Sequence, residues 1–488
     1  MTIQRARALA MKFSIKFRFL VMTFILAFPL LGGAMSVEDE VELGKKEHAK
    51  IISQFGVYKD RELQAYINKV GQRVAEHATR PEIGYVFTIL DDDMINAFAL
   101  PGGFIYVTRG MLTHMNSESE LAAVLGHEIA HVTEKHALQR ENRSKGINVL
   151  NTLLVAVSGQ RELYDLGNMF GGVLLSGYSR EFELEADEVG ATFMAKAGYS
   201  PLAMLDTIEI LKAKDRIENA QARLEEREPR VYHGFLSTHP DHDTRYKEAI
   251  EASAVLVKEY SEYIRTDEFL LKLDGLAYGS SRQVGIIRRN AFYHPRLGIK
   301  FNFPETWRFE TNQRGAVVVS QQGDASFSVS TERMKRGVAP ERYTRNVLGY
   351  NIREGREITI AGMPAFLGIA DKAESPYGPR PTRIAVIFDT RKGLAFVLKG
   401  SGKYDLRKIA GDGSFIASIF SFDRMSRDDF KVAKAPVIRV IRAQSDTTME
   451  QLAAESPITN YALDKLRVMN GLYPHGQPEV GQSIKIVY

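Results

Sequence analysis

The chain has 488 residues, of which 44% are hydrophobic and 25% charged, a globular composition whose length predicts two or three domains. Its net charge of +4 is concentrated in residues 1–34, which contain 5 basic and no acidic side chains. With these set aside, the 64 basic residues fall to 59 against 60 acidic ones, so no nucleic-acid partner is indicated. Cysteine is absent, which excludes disulfides, thiol catalysis and cysteine zinc ligands.

Residues 1–34 have the form of a secretory signal peptide. Basic residues precede the run "FLVMTFILAFPLLGGAM", whose roughly 13 apolar residues are fewer than the about 20 that a membrane span needs. We therefore expect export to a bacterial periplasm with cleavage near Ala34. An uncleaved anchor is the alternative, and association with the membrane or the cell wall stays open.

From residue 37 to 270 the sequence predicts a mainly helical domain with a small β-sheet. The segments "VEDEVELGKKEHAKIISQFG" and "DRELQAYINKVGQRVAEHA" place apolar residues at helical spacing. After them, the alternation of Val86, Thr88 and Leu90 and the run "FIYVT" predict strands, with a turn at 101–103.

The segment "NSESELAAVLGHEIAHV" predicts a buried helix that carries a metal site. Ser117 and Glu120 have the spacing of a capping box at its start. His127 and His131 are one turn apart on the same face, which is the spacing that two zinc ligands need. Glu128 is rotated about 100° from His127, so it can reach an attacking water without ligating the metal.

A catalytic zinc site needs a third protein ligand. His136 lies about 140° around the helix from His131, which predicts an ordinary surface histidine. Downstream, "SGYSREFELEADEVG" places Glu183 and Asp187 one turn apart, so that Glu183 can complete a His-His-Glu site and Asp187 can hold the back of an imidazole. Three neighbouring carboxylates are alternatives to Glu183: Glu181, Glu185 and Glu188.

Four motifs occur in the order "NAFALPGGFIYVTRGML", "ESELAAVLGHEIAHVTEKHA", "SREFELEADEVGA" and "STHPDHDTR". Together they resemble the gluzincin zinc metallopeptidases, the family of the CAAX prenyl protease, HtpX and the β-barrel assembly-enhancing protease, over residues 37 to about 265. The resemblance implies one Zn²⁺ per chain on His127, His131 and Glu183. It also implies that Glu128 is the general base and that Asp187 orients a ligating histidine.

The resemblance extends to three further features. Arg245 keeps the spacing of an "HPxxxxR" pattern and is expected to stabilise the oxyanion; a structural salt bridge is the alternative. His239 of the "THP" motif is expected to cap the zinc in a resting state, or else only to pack its loop, and His242 is a neighbour that could take its place. An edge strand beside the zinc is expected to pair with an extended peptide, through Asn96, Ala97, Phe98 and Ala99.

Beyond a Gly/Ser-rich linker, residues 290–425 predict an α+β domain to which no activity is assigned. Its opening resembles small domains of the PsbP type, and its expected strands are "GAVVVSQ", "ASFSVST", "TRIAVIFDT" and "LAFVLKG". Residues 435–488 resemble a LysM module, a strand-helix-helix-strand unit that binds peptidoglycan. A packing module that has lost the sugar site is the alternative.

The predicted fold class is therefore α+β: a mainly helical zincin-type domain, an α+β domain and a small LysM-like βααβ module. The predicted function is that of a zinc-dependent endopeptidase of the cell envelope, which acts on misfolded or unassembled polypeptides. The alternative is a chaperone or binding protein, docked on peptidoglycan through residues 435–488, with latent or no proteolysis.

Overall fold

The computed structural model describes residues 35–139, 178–224 and 266–488, without residues 280, 282–284, 313–314, 336, 407 and 459 and the side chains of residues 308–315. The predicted signal peptide lies outside the described residues. Helices and sheets occur together in the described part, which confirms the α+β class. No helix in this part combines the length and apolar character needed to cross a bilayer.

The N-terminal domain surrounds a small sheet with helices whose apolar residues recur at helical spacing. In the second helix the buried residues Leu63, Ile67, Val70 and Val74 follow an i, i+4, i+7 pattern behind the N-cap Asp60. The elements of this part are α1 (Val37–Phe55), α2 (Arg61–Ala75), β1 (Val86–Leu90), β2 (Ala97–Leu100), β3 (Phe104–Thr108), α3 (Arg109–His114), α4 (Glu118–Thr133), α5 (Arg180–Lys196), α6 (Ala203–Leu224) and α7 (Thr266–Leu273).

The sheet has the order β1-β3-β2, with β1 parallel and β2 antiparallel to β3. Side chains alternate along β2, because successive residues of a strand point to opposite faces. Ala97 and Ala99 face the core formed with α2 and α4. Phe98 and Leu100 face the smaller apolar cluster that includes Ile51 of α1. The edge strand β2 therefore runs beside α4.

Helices α4 and α5 approach each other at two glycines. A Cβ on Gly190 would lie 2.8 Å from the backbone nitrogen of His127, and one on Gly126 would lie 3.1 Å from the carbonyl oxygen of Gly190. Only the absence of both side chains permits this approach. The contact brings the histidines of α4 next to the acidic residues of α5.

We expect Gly190→Ala to destabilise the N-terminal domain by about 1–3 kcal/mol, the usual cost of overpacking. The added methyl would meet backbone atoms of α4, which cannot rotate away as a side chain can. The free energy of unfolding, measured by chemical denaturation, checks this. Gly413→Ala is the control, because a Cβ on that glycine meets nothing within 4 Å; equal effects in both variants would contradict the expectation.

The middle domain contains a seven-stranded antiparallel sheet of order β10-β11-β12-β13-β9-β8-β7 and a four-stranded sheet of order β14-β6-β5-β4. Four of its strands, β8, β9, β12 and β13, confirm predictions from alternating residues. The elements are β4 (Ile286–Arg288), β5 (Ala291–His294), β6 (Ile299–Asn302), β7 (Arg308–Asn312), β8 (Gly315–Val319), β9 (Ala325–Arg333), α8 (Pro340–Arg342), β10 (Ile352–Ile360), β11 (Met363–Ala373), β12 (Arg380–Asp389), β13 (Leu394–Gly402), α9 (Asp412–Phe420), β14 (Asp423–Arg424) and α10 (Arg427–Val432).

We expect His294 to make the middle domain sensitive to acid. Its side chain is buried in β5, and its Nδ1 accepts a hydrogen bond from the Leu297 backbone. Burial, together with the positive charges of Arg296 and Lys392, lowers its pKa to about 4. Because this lies below the ordinary value of about 6.5, the neutral imidazole stabilises the fold fully above pH 6.5, and this contribution is lost as the pH falls toward 4.

We expect the free energy of unfolding to fall by up to about 3 kcal/mol over that range through His294 alone. Urea denaturation of the native chain and of His294→Gln at several pH values measures this contribution as the difference between the two slopes. Parallel pH profiles would show that His294 is not the group responsible.

The C-terminal unit is a strand-helix-helix-strand structure whose two strands pair antiparallel. Its elements are β15 (Ile438–Arg442), α11 (Met449–Glu455), α12 (Ala462–Met469) and β16 (Ser483–Val487). Its apolar residues Ile438, Met449, Leu466 and Val487 belong to the same hydrophobic core as α2 and α4. The unit is thus packed on the N-terminal domain rather than separate from it.

The chain enters and leaves the middle domain side by side. The backbone N–H of Gly275 donates to Ile438, that of Ile438 donates to Leu276, and that of Tyr278 donates to Pro436, each at 2.8 Å. The middle domain is therefore inserted between the N-terminal domain and the C-terminal unit.

Lys485 connects β16 to the C-terminal end of α3. It is fully buried, and its ammonium group donates to the carbonyl oxygens of Thr113 at 2.9 Å and Met115 at 2.5 Å. Burial lowers the pKa of Lys485, and the carboxylate of Glu120, at the start of α4, opposes this shift. The C-terminal unit thus contributes buried hydrogen bonds to the segment that immediately precedes the helix with the histidines.

Candidate metal centre

Helix α4 places its two histidines in the interior of the N-terminal domain. Its N-cap is Ser117, whose hydroxyl accepts from the backbone N–H of Glu120 at 3.1 Å. The Glu120 side chain accepts instead from the backbone of Asn116 at 2.9 Å, so the predicted capping box is present only in part. Every residue of the helix is buried. Because His127 and His131 are at positions i and i+4, both imidazoles lie on the same face, one turn apart.

His127, His131 and Glu183 converge on one point. Their potential ligand atoms all lie within 4.8 Å of one another. The two Nε2 atoms are 3.0 Å apart, and each lies 3.5 Å from a carboxylate oxygen of Glu183. Among the described residues, no second cluster of this kind occurs.

The chemistry of these donors fits zinc. Two imidazole nitrogens and one carboxylate are the donor set of a catalytic zinc site that keeps a fourth position for water. His127 and Glu183 are 0% exposed and His131 is 2% exposed. Buried, closely spaced polar groups of this kind require a compensating partner, which a divalent cation provides.

Asp187 holds His127 from behind. Its Oδ1 lies 2.8 Å from Nδ1 of His127, so the imidazole directs Nε2 toward the cluster. Burial lowers the pKa of His127, but the hydrogen bonds and negative charges of Asp187 and Glu183 outweigh burial and raise it to about 9. The site therefore has an excess of negative charge that favours a cation.

Of the four candidate carboxylates on α5, the structure places Glu183 in the cluster. Glu181 and Glu188 are exposed. The carboxylate of Glu185 lies 3.2 Å from Nε2 of His136 instead. Glu128 follows His127 on α4 and its side chain is fully buried.

His136 is not a surface histidine, and the prediction was wrong. Its side chain is 0% exposed, and its Nδ1 lies 2.8 Å from Nδ1 of His131. The prediction extended α4 through residue 136, whereas the helix ends at Thr133 and Lys135 adopts a φ of 57°. This left-handed residue turns the chain back, so that His136 faces the helix that it has just left.

Two aromatic contacts near the histidines have no signal in the sequence motifs. The ring of Tyr178 stacks on His131, with centroids 4.0 Å apart and planes at 17°. Phe182 stacks on His136 at 4.4 Å and 17°. Phe182 directly precedes Glu183 in the sequence, but nothing in its type or spacing predicts this contact.

The residues predicted to bind substrate lie at the edge of the sheet. Asn96 precedes β2, and Thr108 donates its backbone N–H to the Asn96 carbonyl at 2.9 Å. Because backbone groups alternate sides along a strand, those of Ala97 and Ala99 point to the outer edge of β2. Phe98 points to the α1 side. No strand pairs with this outer edge in the described part of the chain.

A small pocket, with room for about one water molecule, adjoins β2 and His131. It is lined in part by Leu100, Pro101, Val132 and Tyr178, and His131 forms part of its wall. His239, its neighbour His242, and Arg245 lie outside the described residues.

Comparisons with known proteins place this geometry in a family. Residues 61–253 match the family model of Peptidase family M48. The β-barrel assembly-enhancing protease of Escherichia coli (strain K12) is 30% identical over 227 residues, which are 45% of this chain and 44% of that protein. The mitochondrial metalloendopeptidase OMA1 of Schizosaccharomyces pombe is 28% identical over 227 residues, 44% of this chain and 62% of that protein. The chain thus spans about half the length of these relatives.

A solved structure also matches part of the chain. The solution structure of cyanobacterial PsbP from Synechocystis sp. PCC 6803 is 15% identical and covers 30% of this chain and 98% of that chain, with a TM-score of 0.22.

The region that matches the family model contains α4 and α5, the two helices that carry the clustered side chains. Metallopeptidases of family M48 use zinc, and the buried His127, His131 and Glu183 supply the donors for it. We conclude that residues 61–253 belong to peptidase family M48, a family of zinc metallopeptidases.

Proposed function

We propose that the protein is a zinc-dependent endopeptidase of the bacterial cell envelope that hydrolyses peptide bonds of misfolded or unassembled polypeptides. The buried cluster of His127, His131 and Glu183, backed by Asp187, is the observation that carries this proposal. The relatives named for β-barrel assembly support an envelope role. The basic and apolar residues 1–34 support export to the periplasm.

His127, His131 and Glu183 would hold the zinc ion. When bound, zinc lowers the pKa of a coordinated water toward about 7 and polarises the scissile carbonyl. Glu128 takes a proton from the attacking water and delivers it to the leaving amine. Asp187 keeps the ring of His127 in place throughout. Arg245 donates to the oxyanion, as its motif spacing suggests.

The edge strand β2 accounts for broad substrate choice. The outward backbone groups of Ala97 and Ala99 can pair with an extended peptide irrespective of its sequence. Unfolded chains can offer such an extended segment, whereas folded proteins have already paired their strands.

His239 provides a resting state in this proposal. From the "THP" motif it would occupy the fourth position at the zinc and hold the enzyme inactive. His239→Ala should then raise the rate of cleavage without changing zinc content.

A casein cleavage assay tests the function. The full chain and His239→Ala are incubated with casein and with a natively folded protein of similar size. We expect cleavage of casein only, stopped by a zinc chelator. If zinc is bound and neither chain cleaves casein, the endopeptidase proposal is wrong, and the chaperone or binding alternative replaces it.

The βααβ order of residues 438–487 favours a second function, docking on peptidoglycan. Ser445 and Asp446 lie exposed in the loop between β15 and α11, where the motif of sugar-binding modules falls. Co-sedimentation with purified peptidoglycan tests this, with Asp446→Ala as the variant. If the native chain does not sediment, the unit serves only to pack on the N-terminal domain.

A further inference from the structure

We propose that His136 and Glu185 form a hydrogen-bonded relay that positions His131 as a metal ligand. This inference rests on the proposed zinc function and adds two positioning residues to it. In this relay His136 supports His131 at Nδ1, as Asp187 supports His127 at Nδ1.

The relay is continuous from the cluster to the protein surface. His131 Nδ1 lies 2.8 Å from Nδ1 of His136, and His136 Nε2 lies 3.2 Å from Oε2 of Glu185. The His131 and His136 side chains are at most 1% exposed, whereas that of Glu185 is 48% exposed. The chain of contacts therefore begins at a buried ligand and ends at a carboxylate in contact with solvent.

Ligation determines where the protons of this relay lie. His131 directs Nε2 into the cluster, 3.5 Å from Glu183. A neutral imidazole that ligates through Nε2 carries its proton on Nδ1. His136 must then accept at Nδ1, so its own proton is on Nε2, from which it donates to Glu185. A single arrangement of protons satisfies both contacts.

Stacking fixes the planes of the two rings. Tyr178 covers His131, and Phe182 covers His136, each pair at an interplanar angle of 17°. The turn at Lys135, with its φ of 57°, returns His136 to α4. Because ring rotation and chain direction are both constrained, the Nδ1 contact has little freedom to shift. Such support holds a ligand in the geometry that a metal requires.

Charge explains why a neutral histidine, and not a second aspartate, stands behind His131. Glu128, Glu183 and Asp187 already bring three carboxyl groups into the buried site. A fourth buried carboxylate would add a large desolvation cost and repulsion. Through His136, the supporting charge is instead that of Glu185, where solvent stabilises it.

Zinc affinity of the full chain, measured by competition with a chromophoric chelator, tests the relay without measuring catalysis. We expect His136→Phe, which keeps a ring but has no acceptor, to raise the Kd for zinc by about 10–100-fold. His136→Asn, whose amide oxygen can accept near the Nδ1 position, should recover most of this loss. Glu185→Gln should weaken binding less, and Glu188→Gln on the same helix should leave it unchanged.

Cobalt(II) in place of zinc supplies a spectroscopic signature. Its visible absorption depends on ligand geometry, so His136→Phe should shift the bands and His136→Asn should restore them. If His136→Phe binds zinc as tightly as the native chain, or if the Phe and Asn variants lose affinity equally, the relay is wrong and His136 only packs. A native chain that binds no zinc at all would refute the proposed function and the relay together, whereas native binding with unaffected variants refutes the relay alone.

Discussion

Glu128→Gln is expected to lower casein cleavage by about 10²–10⁴-fold, the contribution of a general base to hydrolysis. The amide keeps the shape of the buried side chain but cannot take a proton from the attacking water. Zinc content should stay at one ion per chain, because Glu128 is not among the three clustered ligands. The measurement is the cleavage rate of Glu128→Gln in a His239→Ala background, so that the proposed cap does not limit it.

Glu134→Gln is the matched control for this experiment. Glu134 lies at the C-cap of the same helix and undergoes the same chemical change outside the cluster, so its cleavage rate should equal that of the background. Activity that survives Glu128→Gln with zinc still bound would assign the base to another residue.

Glu183→Gln is expected to remove stoichiometric zinc from the protein and to abolish cleavage. It replaces the single negatively charged donor of the cluster, whose oxygens lie 3.5 Å from both histidines. Loss of a direct ligand should exceed the about 10–100-fold effect of losing a partner behind a ligand. Metal analysis of the purified variant after dialysis measures the result.

Two neighbouring carboxylates on α5 are built-in controls. Glu181→Gln and Glu188→Gln make the same change at exposed positions and should keep one zinc per chain. Full zinc occupancy in Glu183→Gln, with loss in either of these, would move the third ligand to a different residue.

Several features of this site could be predicted because they depend only on local periodicity. The i, i+4 spacing in α4 places His127 and His131 on one face of any α-helix. Ser117 begins that helix because its hydroxyl satisfies a backbone N–H. Likewise, alternating apolar residues predict strands β8, β9, β12 and β13 in the middle domain.

His136 could not be predicted, because its position depends on where α4 ends. A continued helix would turn it 140° away from His131, whereas the left-handed Lys135 reverses the chain. The end of α4 depends on how the turn after it packs, and no glycine or proline in the sequence marks its position.

The sequence was sufficient to predict a helix with two histidines one turn apart, a downstream acidic segment and the α+β class. These follow from spacings within single elements, which are the same in every fold. Which acidic residue joins the histidines depends on the approach of α4 and α5 at Gly126 and Gly190, so it had to be read from the packed structure. The tertiary structure also decided that residues 438–487 share the core of the N-terminal domain, since contacts between distant segments arise from packing and leave no periodic trace in either segment.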